Sequence, residues 1–250
     1  MPRNEQWLNK MAQDGFVVLP GVFTVSQLDG ILCALERAFQ GQADNVAIRS
    51  DGGTVYAARN VLALCPEAAA VWRQAPLPEI LEDLLGPHFG LVRGLYFDKP
   101  PDQSWALPWH KDLTIAVRDN RRPSALFTKP TLKAGVPHVE APREVLEAMM
   151  TARIHLDNVT ERNGPLEVIP GSQQTGKVLQ LGKTPPQTIL VGRGDVLLIR
   201  PLVAHSSGPS DAEMLAHRRI LHLEFAASPQ LPDGYHWHEF RPGLITRERT

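Results

Sequence analysis

The sequence predicts a mainly β protein, a double-sheet jelly roll with N-terminal helices packed on one sheet. Short apolar runs bounded by turn residues fill the second half of the chain, and 22 prolines and 19 glycines favour sheet and loop over a helical bundle. Amphipathic patterns typical of helices lie mainly before residue 90. Because 250 residues with 43% hydrophobic content can bury a sizeable core and no linker divides them, one domain over residues 1–250 is expected.

Charge and cysteine content narrow the class of protein. Lysine and arginine number 26 against 27 acidic residues, and the net charge of -1 gives no support for nucleic-acid or membrane binding through bulk charge. Cys33 and Cys65 are too few for a disulfide framework. The N-terminus lacks an apolar signal segment, and no run is long enough to span a bilayer. We therefore expect a cytoplasmic protein whose partner is a small molecule, and the sequence does not indicate its oligomeric state.

Three segments carry helix signals. Residues 5–13 precede an Asp-Gly stop, and residues 77–85 end at a Gly-Pro pair. Between them, Thr24 opens a helix with Gln27 in capping-box spacing. The apolar residues of that helix recur on one face, which should pack on the outside of a sheet. They are Leu28, Ile31, Leu32, Leu35 and Phe39.

Apolar runs predict the strands. The first two lie at residues 16–19 and 90–98. A pair at residues 152–157 and 166–169 is joined by a loop that ends in Asn163-Gly164, a sequence typical of a β-hairpin. Further strands are predicted at residues 188–191, 196–199 and 218–225.

Two segments lack a regular pattern. Residues 41–53 are polar and rich in turn residues. Residues 118–142 carry four prolines together with Arg, Lys and His side chains, and are predicted to be irregular. An irregular segment of this length inside a domain is usually either a functional lid or disordered, and we favour a lid insertion.

His110-Lys111-Asp112 is the first candidate for chemistry. On an extended strand, side chains two residues apart project from one face, so an imidazole and a carboxylate would point at one position. Such a pair is two-thirds of the 2-His-1-carboxylate triad of non-haem Fe(II) oxygenases. A chance His-x-Asp sequence is the alternative.

His205 supplies a second imidazole. It follows the apolar strand at residues 196–199 and precedes three small residues that leave space beside it. By itself, a histidine in this setting is more often a surface or capping residue. Joined to His110 and Asp112, it completes a triad that leaves three positions of an octahedral ion open.

Arg218 and Arg219 begin the strand at residues 218–225. Alternation places Arg219 on a face with three apolar side chains and Arg218 on the opposite face with His222 and Glu224. A polar face on a central strand must meet water or line a cavity. If it lines the metal cavity, Arg218 would hold a carboxylate through two parallel hydrogen bonds. Alternatively, both arginines lie on a solvated edge.

Six stretches, in order from residue 14 to about residue 225, are together far more specific than any one of them. They are DGFVVLPG at 14–21, WHKD at 109–112, NGPLEVIPGS at 163–172, GDV at 194–196, HSSGP at 205–209 and RR at 218–219. In combination they resemble the phytanoyl-CoA dioxygenase family.

This resemblance implies a double-stranded β-helix, the cupin-like form of the jelly roll, that uses Fe(II) and the co-substrate 2-oxoglutarate. By position, His110, Asp112 and His205 would be the catalytic metal ligands. Halogenating relatives replace the carboxylate with a small residue to make room for halide. The intact Asp112 therefore implies hydroxylation.

The resemblance also implies residues that hold the co-substrate. Arg218 would bind the C5 carboxylate of 2-oxoglutarate, with Ser207 as a helper and Lys99 near the co-substrate. The interval between His205 and the arginine pair is longer than in some members. This spacing leaves Arg219 open as the alternative to Arg218.

The combined expectation is an Fe(II)- and 2-oxoglutarate-dependent dioxygenase that uses O2 to hydroxylate an unidentified small organic molecule and releases succinate and CO2. Two other functions stay open from the residues alone. A His/Asp/His site also suits a zinc-dependent hydrolase or lyase, which would have no need of 2-oxoglutarate. A jelly roll can instead be a non-catalytic small-ligand-binding protein, which would not decarboxylate 2-oxoglutarate.

Overall fold

Antiparallel strands dominate the structure, a computed structural model that describes residues 5–42, 44–101 and 105–243. The strands are β1 (Phe16–Leu19), β2 (Ile48–Asp51), β3 (Thr54–Ala58), β4 (Gly90–Phe97), β5 (Leu107–His110), β6 (Thr114–Ala116), β7 (Thr128–Lys133), β8 (Val136–Glu140), β9 (Met149–His155), β10 (Leu166–Val168), β11 (Gln187–Ile189), β12 (Val196–Ile199), β13 (His205–Ser207), β14 (Ile220–Ala226) and β15 (Arg241–Pro242).

Two of the sheets face each other. The larger has the order β1-β12-β9-β14-β4-β3-β2, with β15 also paired to β4, and the smaller has the order β11-β10-β13-β5. Leu197 and Ile199 of β12 share one buried cluster with Leu166 and Val168 of β10, so side chains of both sheets fill the space between them. This architecture confirms the predicted mainly β jelly roll.

Helices cover the outer face of the larger sheet. The longest in the described ranges, α2, begins after Thr24, whose side chain accepts the Gln27 N–H while the Gln27 side chain accepts the Thr24 N–H. The buried apolar face of α2 shares a cluster with Leu221, Leu223 and Phe225 of β14, as predicted. None of the described helices is both long and apolar enough to cross a bilayer. The helices are α1 (Glu5–Asp14), α2 (Val25–Phe39), α3 (Val61–Leu64), α4 (Pro66–Ala70), α5 (Leu77–Leu85) and α6 (Arg143–Glu147).

The hairpin predicted around Asn163-Gly164 is wrong. β9 pairs with β12 and β14 in the larger sheet, whereas β10 pairs with β11 and β13 in the smaller one. Every residue of β9 is buried, so this strand requires a neighbour on both sides within its own sheet. The Asn163 side chain instead closes the crossing loop, accepting the Thr160 N–H and donating to the Asn158 carbonyl.

The prediction that residues 118–142 are irregular is also wrong. β7 and β8 form a hairpin there, and β6 completes a third sheet with the order β6-β8-β7. Prolines misled the prediction because they usually interrupt strands. Pro130 lies on an edge strand where the register shifts, and Pro137 offers its carbonyl to the Val117 N–H.

A second hairpin lies in the segment that was assigned no element. β2 and β3 pair with Asp51 opposite Thr54, and the two residues between them are Gly52 and Gly53. Both glycines have positive φ, +53 and +85, which is the conformation that tight two-residue hairpin turns need. The Gly-Gly pair was therefore the feature of the sequence that could have predicted this hairpin.

Gly194 joins three parts of the fold. Its N–H donates to the His155 carbonyl and its own carbonyl accepts the Phe23 N–H. Its φ is +95, and a Cβ at this position would lie 2.3 Å from the Phe23 carbonyl oxygen. Gly182 also has positive φ, +61, but nothing lies within 4 Å of its Cβ position.

We expect Gly194→Ala to lower the free energy of unfolding by ~2–5 kcal/mol, because a left-handed backbone and an overpacked contact both oppose the new methyl group. Gly182→Ala keeps only the backbone cost, about 1–2 kcal/mol. Urea denaturation of the two variants measures the difference. Equal losses would contradict the close packing at Gly194.

Candidate metal centre

Two neighbouring strands of the smaller sheet carry the two histidines. His110 is the last residue of β5 and His205 is the first residue of β13, and the antiparallel register places them directly opposite each other. Their ring centroids are 4.3 Å apart. Because opposite residues of an antiparallel pair project from the same face, strand pairing alone brings both imidazoles to one position.

Backbone carbonyls fix which ring nitrogen of each histidine is free. Nδ1 of His110 lies 2.7 Å from the Pro108 oxygen, and Nδ1 of His205 lies 2.9 Å from the Val203 oxygen. A carbonyl oxygen can only accept, so each Nδ1 carries the proton and donates it. Each Nε2 is left with a lone pair, the form in which imidazole binds a metal.

Asp112 lies beyond the end of β5, so the prediction that it shares one extended strand with His110 is wrong. Its N–H donates to the Pro201 carbonyl at 2.9 Å. The intervening residue, Lys111, is buried and donates to two carbonyl groups and one hydroxyl within residues 172–176. Turning Lys111 towards these acceptors ends the strand, and the same turn aims Asp112 at the histidines.

The three side chains converge on one position. Asp112 Oδ1 lies 4.0 Å from His110 Nε2, and Asp112 Oδ2 lies 3.7 Å from His205 Nε2. The three ligand atoms all lie within 4.8 Å of one another. Two atoms that each bind one ion at about 2.1 Å are at most about 4.2 Å apart, so a small contraction would bring all three to one ion. No other group of His, Cys, Asp and Glu in the described ranges has this arrangement.

Burial and charge set the protonation states of the triad. Burial raises the pKa of Asp112, but the charges of His205, His222 and His110 outweigh it and bring the pKa down to about 2. Burial lowers the pKa of His205 to about 4, against the opposing attraction of Asp112. At neutral pH the carboxylate is therefore ionised and His205 is neutral, the states that metal binding requires.

The cavity beside the triad also contains the guanidinium of Arg218. Arg218 precedes β14 and is 2% exposed, and its Nε has no hydrogen-bond partner among the described residues. Burial and the repulsion of Arg153 lower the pKa of Arg218 to about 9, which leaves it charged at neutral pH. The cavity has a volume of about 70 Å³ and opens to solvent. A buried cation with a free donor makes it a site for an anion.

Arg219 points to the opposite face of the same strand, as the alternation predicts. Its Nε and Nη2 both lie 2.9 Å from the Asp157 carboxylate, and its Nη1 lies 3.9 Å from Glu36 of α2. The hydrogen bonds to Asp157 raise the pKa of Arg219 above its ordinary value. Of the two, only Arg218 lines the cavity. Which arginine holds a co-substrate stays a prediction.

Lys99 and Ser207 lie together at the cavity wall. Ser207 lines the cavity, and Lys99 is fully buried and donates to the Ser207 hydroxyl and to the carbonyls of Gly164 and Gly208. Burial and the repulsion of Arg218 lower the pKa of Lys99 to about 7. Because these acceptors occupy the ammonium donors, Lys99 supports the wall that carries Ser207. A direct role of either residue at a co-substrate stays a prediction.

Arg153 lines the same cavity and was missed from the sequence. It lies on β9 opposite His222 of β14 and is 8% exposed. Its Nε has no hydrogen-bond partner within the described residues. A signal was available, because Thr151, Arg153 and His155 alternate with the apolar residues Ala152 and Ile154.

Arg93 is a third guanidinium at the cavity, and it differs in having a protein partner. Its Nε donates to Glu224 Oε1 at 2.9 Å, and its Nη2 contacts the same oxygen. His222 Nε2 lies 3.2 Å from that oxygen as well. Arg93 and Glu224 therefore neutralise each other, in contrast to Arg153 and Arg218.

Comparison with known proteins gives a family match and one curated relative. A family model described as phytanoyl-CoA dioxygenase (PhyH) matches residues 11–214. L-proline trans-4-hydroxylase from Streptomyces griseoviridis is 26% identical over 169 residues, which is 68% of this chain. The chain spans only 55% of the length of that relative.

Solved structures share the fold at low identity. AviO1 from Streptomyces viridochromogenes Tue57 superposes with a TM-score of 0.65 at 18% identity, over 93% of this chain and 99% of that one. EctD from S. alaskensis, solved with 2-oxoglutarate and 5-hydroxyectoine, gives a TM-score of 0.69 at 18% identity, over 90% and 77%. The α-ketoglutarate-dependent carbocyclase SnoK gives 0.66 at 15% identity, over 93% and 89%. These likenesses show that the jelly roll is the fold.

We expect His110→Ala, Asp112→Ala and His205→Ala each to weaken Fe(II) binding severely, because two protein ligands hold a divalent ion poorly. Competition with a chromophoric chelator under anaerobic conditions measures the dissociation constant for Fe(II). Loss of a residue that only supports a metal ligand raises this constant roughly 10- to 100-fold, and loss of a ligand itself should raise it further.

His138→Ala is the matched control for these variants. His138 is buried as His205 is, and its Nδ1 bonds the Val136 carbonyl at 2.9 Å as the two triad histidines bond theirs, but it lies outside the triad. Fe(II) affinity should stay within about threefold of the original. Equal losses in His138→Ala and His205→Ala would remove the support for this site.

Proposed function

The chain belongs to the phytanoyl-CoA dioxygenase family, and on that premise we propose that it is an Fe(II)- and 2-oxoglutarate-dependent dioxygenase that hydroxylates a small organic molecule. The observation that carries the proposal is the convergence of His110, Asp112 and His205 in a cavity that also holds the free Nε of buried Arg218. A zinc-dependent hydrolase would need the triad but not the buried guanidinium.

The residues fit both groups that the proposal requires. Two neutral imidazoles and one carboxylate carry a charge of -1 and leave open positions on an octahedral ion, the donor set of non-haem Fe(II) oxygenases. The free donor of Arg218 suits the far carboxylate of a dicarboxylate, because a planar guanidinium matches a carboxylate with two parallel hydrogen bonds. Without such an anion the Arg218 Nε has no hydrogen-bond partner among the described residues.

The chain's own residues bind, orient and exclude water. When bound, iron(II) and 2-oxoglutarate supply the oxidation itself, in which O2 is consumed, succinate and CO2 are released and a C–H bond becomes a C–OH bond. In the proposal, the triad holds the metal, Arg218 fixes the far end of 2-oxoglutarate, and Ser207 assists it. Trp105 donates its indole N–H to the Asp98 carbonyl at 2.8 Å, which holds an aromatic wall beside the cavity and keeps it dry.

The substrate in this proposal is small. The curated relative is named for a small substrate, L-proline. The identity of the substrate, including whether it is a CoA thioester, stays open. Both cysteines are free, which suits a reducing compartment, and the proposal includes a cytoplasmic location.

The β7–β8 hairpin is proposed as the lid. β6, to which it is joined, begins two residues after Asp112, and Lys133 of β7 donates to the Thr114 hydroxyl at 3.0 Å. Asn60 donates to the carbonyl of Ala134 at the hairpin turn. These contacts support a hairpin that could close towards the triad and exclude water.

The lid makes a prediction about hydrogen exchange. Amides of β7 and β8 should exchange more slowly in the Fe(II)- and 2-oxoglutarate-loaded protein when a compound that stimulates succinate release is added. Amides of β12, which lies in the core of the larger sheet, serve as the internal control and should not change. Unchanged protection of the hairpin would make it a static part of the rim.

The decisive experiment is a 2-oxoglutarate titration of two neighbouring arginine variants. Losing one partner of a buried charged pair costs ~2–5 kcal/mol, so Arg218→Ala should raise the apparent 2-oxoglutarate constant by roughly thirty- to several-thousand-fold. Arg218→Lys should restore little, because a point charge does not match the fork. Arg219→Ala should stay within a few-fold and act on stability, because its partners are Asp157 and Glu36.

Succinate formation and the weak visible absorption of a 2-oxo acid bound to Fe(II) both report this titration. A large effect in Arg219→Ala and a small one in Arg218→Ala would reverse the assignment. If the original protein gives neither signal, a non-catalytic ligand-binding protein replaces the proposal. Metal binding and hydrolysis without any need for 2-oxoglutarate would favour the zinc-dependent hydrolase.

A further inference from the structure

The cavity holds a buried guanidinium that the proposed reaction does not use. Arg153 projects from the inner face of β9 and is 8% exposed, and its Nε has no partner among the described residues. Its Nη1 lies 3.5 Å from His222 Nδ1, at the long limit for a hydrogen bond. Fixing and burying a charge in this way is costly unless something in the cavity pairs with it.

Among the described residues that line the cavity, no carboxylate is free to be that partner. Asp112 is the one carboxylate among the described residues that line the cavity, and it belongs to the triad. Glu224, on the polar face of the neighbouring strand β14, is already bonded to Arg93 and His222. Within the described ranges, no acidic side chain at the cavity is left to pair with Arg153.

A charge count shows what that partner must carry. Among the residues that line the cavity, Arg153 and Arg218 contribute +2 and Asp112 contributes -1, a sum of +1, while Arg93 and its partner Glu224 cancel. Asp98 also attracts Arg218, but it lies outside the lining and is bonded to His217. An Fe(II) ion and the 2-oxoglutarate dianion add +2 and -2 and leave that sum unchanged. Lys99 adds positive charge to whatever extent it is protonated, so the balance cannot become negative from the protein side.

We propose that Arg153 binds an anionic group of the prime substrate, which places the substrate among small organic anions such as carboxylates. This inference rests on the proposed function and deepens it, since Arg218 serves the co-substrate and Arg153 serves the molecule that is oxidised. The position of Arg153 on β9, opposite His222, keeps it in the same cavity as the triad. A substrate anchored there would be held beside the metal.

Acetate and its neutral isostere acetamide are the probes. In protein loaded with Mn(II) and saturated with 2-oxoglutarate, proton relaxation of the probe's methyl group reports its approach to the metal. Acetate should bind saturably and acetamide should not. Arg153→Gln should weaken acetate binding about tenfold or more, as expected for losing a hydrogen bond to a charged group, and leave the 2-oxoglutarate constant within about threefold.

Two further variants separate binding from folding. Arg200→Gln is the matched control, since Arg200 bonds the Glu147 and Met149 carbonyls away from the cavity, and acetate binding should not change. Arg153→Met should leave the thermal midpoint of the ligand-free protein unchanged or raise it, because it removes a buried charge without a firm partner. A clear fall in that midpoint would mark Arg153 as structural.

The remaining outcomes of these experiments would each contradict the proposal or change the role of Arg153. Equal binding of acetate and acetamide, or acetate binding that survives Arg153→Gln, would overturn it. A 2-oxoglutarate constant raised as much by Arg153→Gln as by Arg218→Ala would make Arg153 a second co-substrate anchor instead. If 2-oxoglutarate fails to bind the original protein, the proposed function fails, while acetate titration without 2-oxoglutarate still reports on Arg153 alone.

Discussion

The pairing of β5 with β13 is the interaction on which the candidate site depends. It sets His205 directly opposite His110, and β10 holds β13 from the other side with Val168 opposite His205. Val168 is fully buried between the sheets, so a slip of one residue would expose it and turn His205 away from the cavity. The geometry of the metal ligands is therefore fixed by the same burial that holds the two sheets together.

β14 lies between the helices and the cavity and contacts both. Its apolar face is buried against α2, and its polar face carries His222 and Glu224 towards the metal ligands. Arg219 locks the start of this strand to Asp157 through two hydrogen bonds of 2.9 Å. Because neighbouring residues face opposite ways, that lock on one side orients Arg218 into the cavity on the other.

The sequence predicted correctly those features that depend on residues close together in the chain. The capping box at Thr24 and the two faces of the strand at 218–225 depend on residues a few positions apart, and both are as predicted. The partners of β9 and β10 depend on residues far away along the chain, so a local Asn-Gly signal pointed to the wrong pairing.

The same limit applied inside the site. Spacing alone suggested that His110 and Asp112 share a strand, and it could not show that Lys111 would find acceptors more than 60 residues later and end β5. The alternation of Thr151, Arg153 and His155 marks a polar face, but only the assembled sheets show that Arg153 faces a cavity in which its Nε has no partner among the described residues. Chemistry that rests on motif spacing is thus readable from sequence, whereas chemistry that rests on an unpaired buried charge is not.

The unpaired charges link stability to ligand binding. Two guanidinium groups held in one cavity repel each other, and Arg153 contributes to the lowered pKa of Arg218. The folded chain therefore carries an electrostatic cost that packing elsewhere must offset, as is common where a site is built for a ligand and not for stability. An anion that binds only the folded state recovers part of that cost and stabilises the protein by RT ln(1 + [L]/Kd), about 2.7 kcal/mol at a hundredfold excess over Kd. Bound anions therefore contribute to the stability of the folded state. Because the lining carries a net positive charge, the cavity favours a substrate that is itself an anion.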